Sequence, residues 1–200
     1  MKKGLAVLLS GAMLLLAACG GGGNQASGEK KDEMVKIGIT QIVEHPSLDA
    51  AREGFIEALK DAGYEEGKNL KLDYQNAQGD MNNNASIAQK FVSDKNDLIL
   101  AIATASAQAA VQATKDIPVL FTAITDPVGA ELVQSMEKPG GNATGTTDTH
   151  PDAIKNTIAA IKKFIPGAKK VGIIYNNGEP NSVVNRSEER RVGKECPLLC

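Results

Sequence analysis

Hydroxyl, amide and carboxylate side chains recur at one kind of place in this 200-residue chain, just after short apolar runs. Thr40 and Gln41 follow VKIGI, Thr104 and Ser106 follow DLILAIA, Thr122, Thr125 and Asp126 end IPVLFTAITD, and Asn176 and Asn177 follow KVGIIY. Thr146, Thr147 and Asp148 close a glycine-rich stretch among them. Hydroxyls next to helix N-terminal N–H groups suit a carboxylate, and an aspartate suits an ammonium. The set favours a small zwitterion such as an amino acid over a phosphate or polyanion, because it holds no cluster of Lys or Arg. Any one of these Ser and Thr residues would serve equally as a helix cap. The convergence of five such positions is what argues for a pocket.

Patterns for catalysis are missing from the sequence. It has no G-x-S-x-G elbow and no P-loop, and GGNATG is not the dinucleotide fingerprint. His45 and His150 each precede a proline without metal-ligand spacing; His45, after the first apolar run, is the one expected at a pocket rim. No cysteine lies between Cys19 and Cys196, which excludes a disulfide-stapled core and a thiolate metal site there. The expected protein binds without turnover and uses no metal or cofactor. Its formal net charge of −2 and lack of a basic stretch argue against nucleic acid as a partner.

The elements that must position these residues alternate. VKIGITQI, NLKLDYQNA, DLILAIAT and IPVLFTAI read as strands of the buried type. Between them SLDAAREGFIEALKDAG sets Leu48, Ala51, Phe55, Leu59 and Ala62 at three- and four-residue steps, with Ser47 as the expected N-cap and Gly63 as the stop. DMNNNASIAQKFVSDK and SAQAAVQATKD read as two further helices, and DPVGAELVQSM as another opened by Asp126. Four alternations of this kind predict an α/β fold with a parallel sheet covered on both faces. The glycine-rich stretch KPGGNATGTTDTHPD is expected to cross into a second lobe, begun by a helix with Ile154, Ile158, Ile161 and Ile165 in one stripe and by the strand KVGIIYNN. The expected division is a first lobe over residues 34–142 and the start of a second over 143–185. In such sheets ligands sit beyond the carboxyl ends of the strands, where the polar residues fall.

The first 33 residues belong to neither lobe. Lys2 and Lys3 precede an apolar stretch at residues 5–16, too short to span a bilayer, and then Ala17, Ala18 and Cys19. The order Leu16-Ala17-Ala18-Cys19 resembles the bacterial lipobox. That implies a signal peptide over residues 1–18, lipid attachment at Cys19, and a Gly-rich and then charged tether over 19–33. The body is expected on the extracytoplasmic face of a cell membrane.

The blocks VKIGITQIVEHPSLDAAREGFIEAL, IATASAQAAVQATKDIPVLFTAITDPVGAELV, PGGNATGTTD and VGIIYNNGEPNSV resemble, in order, a bacterial ABC-transporter solute-binding family that includes tryptophan- and tyrosine-type binding lipoproteins. The resemblance implies a type I periplasmic-binding-protein fold, with two doubly wound lobes that close about a hinge on a solute. It implies a monomer that hands an unmodified solute, an aromatic amino acid by preference, to a permease driven by a separate ATPase. By the same resemblance the contacts are Gln41, Thr104, Ser106, Thr125, Asp126, Asp148, Asn177, Glu179 and Ser182. Asp148 would take the ammonium, and Thr104 with Ser106 the carboxylate. Where relatives often carry YNPGE this chain has YNNGE, so the turn before Glu179 is expected to differ. Two other functions fit less well: a ligand-sensing ectodomain of the same fold, and a lipid-anchored α/β hydrolase.

The segment NRSEERRVGKECPLLC breaks the pattern, with dense charge, no apolar period and two of the three cysteines. RSEERRVGKEC resembles a common sequencing adapter read as protein. The expectation is therefore that residues 186–200 are non-native, the alternative being an exported tail with Cys196 and Cys200 bridged. On the first reading the second lobe is incomplete here.

Overall fold

In the computed structural model the chain is described over residues 34–150 and 152–195. The apolar runs form strands β1 (Val35–Gln41), β2 (Leu70–Asn76), β3 (Leu98–Ile102) and β4 (Val119–Ile124), and a fifth, β5 (Ala143–Thr147), follows. All pair in parallel, in the order β2-β1-β3-β4-β5. Parallel neighbours need crossovers. Helices α1 (Pro46–Asp61), α2 (Met81–Ser93) and α3 (Thr104–Ala113) supply three of them, and a loop alone joins β4 to β5.

Alternation along β3 shows how the layers form. Ile99 and Ala101 pack with Phe91 of α2 and Ala107, Ala110 and Val111 of α3. Leu100 and Ile102 turn to the opposite face, joining Ile37, Ile39 and Leu70, against which Leu48, Phe55, Ile56 and Leu59 of α1 pack. Successive strand residues point to opposite faces, so a strand apolar at every position must be covered twice. The expected doubly wound α/β layering is present.

Local signals decide the helix ends. His45, not Ser47, is the N-cap of α1: its Nδ1 accepts from the Ser47 N–H at 3.2 Å, and Pro46 begins the helix. His150 makes a similar bond two residues ahead, its Nδ1 accepting from the Asp152 N–H at 3.1 Å, but the N-cap of the helix that follows is Asp152 itself. Gly63, at φ +88°, ends α1, with Gly63 N–H on the Lys60 carbonyl and Tyr64 N–H on that of Leu59, both at 2.9 Å. This pairing satisfies two of the last carbonyls and needs a left-handed residue at its centre. Asp80 caps α2 through the Asn82 and Asn83 amides.

Three further expectations are corrected. DPVGAELVQSM forms one turn rather than a helix: Asp126 Oδ1 accepts from Gly129 N–H at 2.9 Å, and Glu131 then adopts φ +58° and redirects the chain. Residues 143–147, expected at the start of a second lobe, form β5 and lie on β4 of the first sheet. Residues 170–177, expected to be a strand, form none: 170–176 adopt no regular secondary structure, Asn177 begins a turn, and Ile174 is fully exposed. The Ile stripe does form helix α4 (Ala153–Phe164), with Ile158 buried. Helix α5 (Pro180–Glu195) runs across residue 186, where the composition changes. Cys19, the signal and tether segments, and Cys196 and Cys200 lie outside the described residues. No helix among the described residues is long and apolar enough to cross a membrane.

Candidate ligand-binding site

The strand order reverses direction at one place. From β1 the chain crosses to β2 on one side, and from β3 it crosses to β4 on the other, so the loops leaving β1 and β3 diverge. A crevice must open between them at the carboxyl edge of the sheet. A cavity of about 650 Å³ lies there.

One wall is the β1–α1 loop and the start of α1, contributing Ile42, Val43, His45, Ser47 and Leu48, with Met81 from α2 beside it. The floor is Ala103 and Thr104 after β3, with Ala123 and Thr125 at the end of β4. Asp148, following β5, and Asn176, Glu179 and Asn181 close the remaining side. The cavity is thus mostly apolar on one flank, where His45 and Ser47 are the polar exceptions, and polar on the other, with no Lys or Arg in its lining.

The floor carries backbone strain. Ala103 sits at φ +77° and ψ 157°, and Ala123 at φ +56°, where a Cβ is disfavoured by about 1–3 kcal/mol. Ladder geometry explains both. The Ala103 N–H donates to the Thr122 carbonyl at 3.0 Å, and the β4–β5 register slips between Phe121 and Ile124. With Ala103 in this conformation α3 starts without a side-chain cap hydrogen bond, so its first-turn amides face no side-chain acceptor. Such an end is suited to an anion.

The predicted contacts divide. Thr104, Thr125, Asp148 and Glu179 are brought together around the cavity. Glu179 is held in place by its neighbours, one oxygen accepting from Asn176 Nδ2 at 3.0 Å and the other from Ser182 Oγ at 3.1 Å. Ser182 therefore serves Glu179 and does not line the cavity, and Asn177 is replaced in the lining by Asn176. Asp126 is occupied by its turn. Ser106 is fully buried and does not line the cavity, and its Oγ has no hydrogen-bond partner. Gln41 is fully buried too, with its amide on Val43 and Asp49. The apolar flank was not foreseen from sequence, since no single stretch carries it. Only the apolar character of Ile42, Val43 and Leu48, close after a strand end, hinted at it. No group of three His, Cys, Asp or Glu among the described residues could hold a metal ion.

An open parallel lobe with a ligand-sized crevice at its switch point defines a binding fold of the periplasmic-binding-protein type. Residues 36–196 match the family model described as ABC transporter substrate binding protein, and the chain belongs to that family. It is 53% identical over 190 residues to a Clostridioides difficile (strain R20291) protein named tyrosine-binding protein, covering 92% of this chain and 54% of that one. A solved Streptococcus pneumonia ABC domain in complex with L-Trp is 38% identical with a TM-score of 0.78, over 84% of this chain and 56% of that one. A conserved domain protein from Vibrio cholerae is 44% identical with a TM-score of 0.79, over the same shares. The chain spans just over half the length of these relatives.

Proposed function

We propose that this chain carries the first lobe, and the start of the second, of the solute-binding component of an ABC importer. It captures a small solute between two hinged lobes for delivery to a permease and its ATPase. The solute is an amino acid, with an aromatic side chain favoured. The observation that carries this reading is the division of the switch-point cavity into an apolar flank of Ile42, Val43, Leu48 and Met81 and a polar one of Thr104, Thr125, Asp148 and Glu179. A free amino acid has the same division.

The carboxylate goes to the α3 N-terminus at Thr104, and the ammonium to Asp148. The side chain lies along the aliphatic flank, where the Met81 thioether offers an aromatic ring a favourable contact. The relatives named for tyrosine and complexed with L-Trp support the aromatic choice. The protein acts without turnover, tethered to the extracytoplasmic face of the membrane through Cys19.

Calorimetry and thermal shift on the full-length gene product test the reading. L-Trp, L-Tyr or L-Phe should raise the melting temperature by mass action, while sugars should not. A shift with a sugar and none with any amino acid would overturn the ligand class.

A further inference from the structure

Gln41 is the last residue of β1 and is fully buried, yet it is absent from the cavity lining. Both ends of its amide are engaged. Nε2 donates to the Val43 carbonyl at 2.8 Å and to Asp49 Oδ1 at 2.9 Å, and Oε1 accepts from Arg52 Nη1 at 3.5 Å. Arg52 Nη1 also donates to Asp49 Oδ1 at 3.0 Å, and its guanidinium lies 4.3 Å from the centre of the Tyr74 ring. Behind the β1–α1 loop, Asp49, Arg52 and Tyr74 line a second, shallow depression, and Val43 lines both this depression and the ligand cavity.

We propose that Asp49 and Arg52 are positioning residues for the ligand cavity. They hold Gln41, and Gln41 holds the Val43 carbonyl, so the loop forming the apolar wall is fixed from its outer side. This rests on reading the cavity as the solute site. The order of the links follows from burial and geometry. Tyr74, on β2, and the α1 backbone are anchored in the fold, and Arg52 is stacked on one and rooted in the other. Asp49 meets Arg52 and Gln41 through the same oxygen. Among the described residues, Gln41 is the side-chain donor to the loop carbonyl at Val43. A buried amide that lost Asp49 would have a donor without an acceptor, and reorienting to satisfy it would loosen its hold on the Val43 carbonyl.

The relay makes a distinction that a general loss of stability does not. Asp49→Asn keeps an oxygen for Gln41 and removes the charge facing Arg52, whereas Asp49→Ala removes both. In full-length protein without ligand, hydrogen exchange of amides 42–48 should quicken about tenfold in Asp49→Ala and stay within about threefold of wild type in Asp49→Asn, with 98–102 unchanged in both. With L-Trp and L-Tyr as probes, Asp49→Ala should weaken binding about tenfold through faster dissociation, and Asp49→Asn should restore most of it. Equal exchange in Asp49→Ala and wild type, or equal losses in the two variants, would overturn the proposal. If Asp49→Ala loses protection at 98–102 as well, Arg52→Met decides: it keeps the aliphatic stem but removes the guanidinium that reaches Gln41, Asp49 and the Tyr74 ring, and should quicken loop exchange about threefold; no change would overturn the relay. If wild type binds neither probe, the ligand reading fails and the exchange result alone decides the relay.

Discussion

The Phe91 ring of α2 occupies the space where a Cβ on Gly38 of β1 would stand: the nearest ring carbons lie 2.6 Å from that point. The helix is seated through this contact, because Phe91 is fully buried among Ile99, Ala101 and the α3 alanines. Ordinarily a strand glycine gains stability on becoming alanine. Gly38→Ala should do the reverse, costing about 1–3 kcal/mol by overpacking, because a ring in a close-packed interior cannot retreat. Chemical denaturation of the two proteins checks this; an unchanged or raised midpoint would mean the α2 seat is loose.

Gly145 marks a second close approach, this time against backbone. A Cβ there would lie 1.9 Å from the Phe121 carbonyl oxygen. Beyond it, Thr147 Oγ1 donates to the Ile124 carbonyl at 2.6 Å and the Asp148 N–H to the same oxygen at 3.1 Å. Gly145→Ala should push β5 off β4 and carry Asp148 away from the cavity. The expected result is a lower melting temperature together with amino-acid binding weakened at least about tenfold, compared by calorimetry with Asp148→Asn.

Ser106 gives the opposite sign for stability. Its buried hydroxyl has no partner in the fold, so Ser106→Ala removes an uncompensated polar group. The ligand-free melting temperature should hold or rise, and affinity for an amino acid should stay unchanged, since Ser106 does not line the cavity. A lower melting temperature would give the hydroxyl a structural role instead.

Asp73 and Lys90 tie β2 to α2, with Lys90 also 2.6 Å from Asp94. Burial of Asp73 acts to raise its pKa. Hydrogen bonds from Lys90 and Gln75, with the charges of Lys90 and Lys71, outweigh it and hold the carboxyl below its usual value. A depressed folded pKa stabilises the protein above the unfolded value, near 3.9, and that contribution is lost as pH falls through the folded value. The pair is partly solvated, so the contribution is at most about 1 kcal/mol. Asp73→Asn should therefore be less stable than wild type at about pH 6, and the two should converge as pH falls through the lowered folded value. Urea midpoints across that range measure it; a constant difference would assign the effect to something other than titration.

The alternation of elements was legible because burial on two faces leaves a direct trace: continuous apolar strands, and helices such as α1 with Leu48, Phe55 and Leu59 at helical steps. The carboxyl-edge residues Thr104, Thr125 and Asp148 could be named as a set for the same reason, since strand ends follow from strands. Gly63 could be read as a helix stop because its chemistry is local. Residues 127–133 could not be resolved by pattern. Asp126 and Pro127 open one turn as well as a helix, and the left-handed Glu131 that ends it carries no residue signature.

What the sequence alone determined is the layer order and which polar side chains reach the binding edge, because periodicity and strand ends are properties of contiguous residues. Tertiary structure decided which of those side chains face the cavity. Gln41 is consumed by Asp49, Ser182 by Glu179 and Asp126 by Gly129, while Ile42, Leu48 and Met81 become one apolar flank. These outcomes depend on hydrogen bonds and contacts made when separate loops are brought together at the crossing between β1 and β3, and no stretch of chain records in advance which partner will claim a polar group.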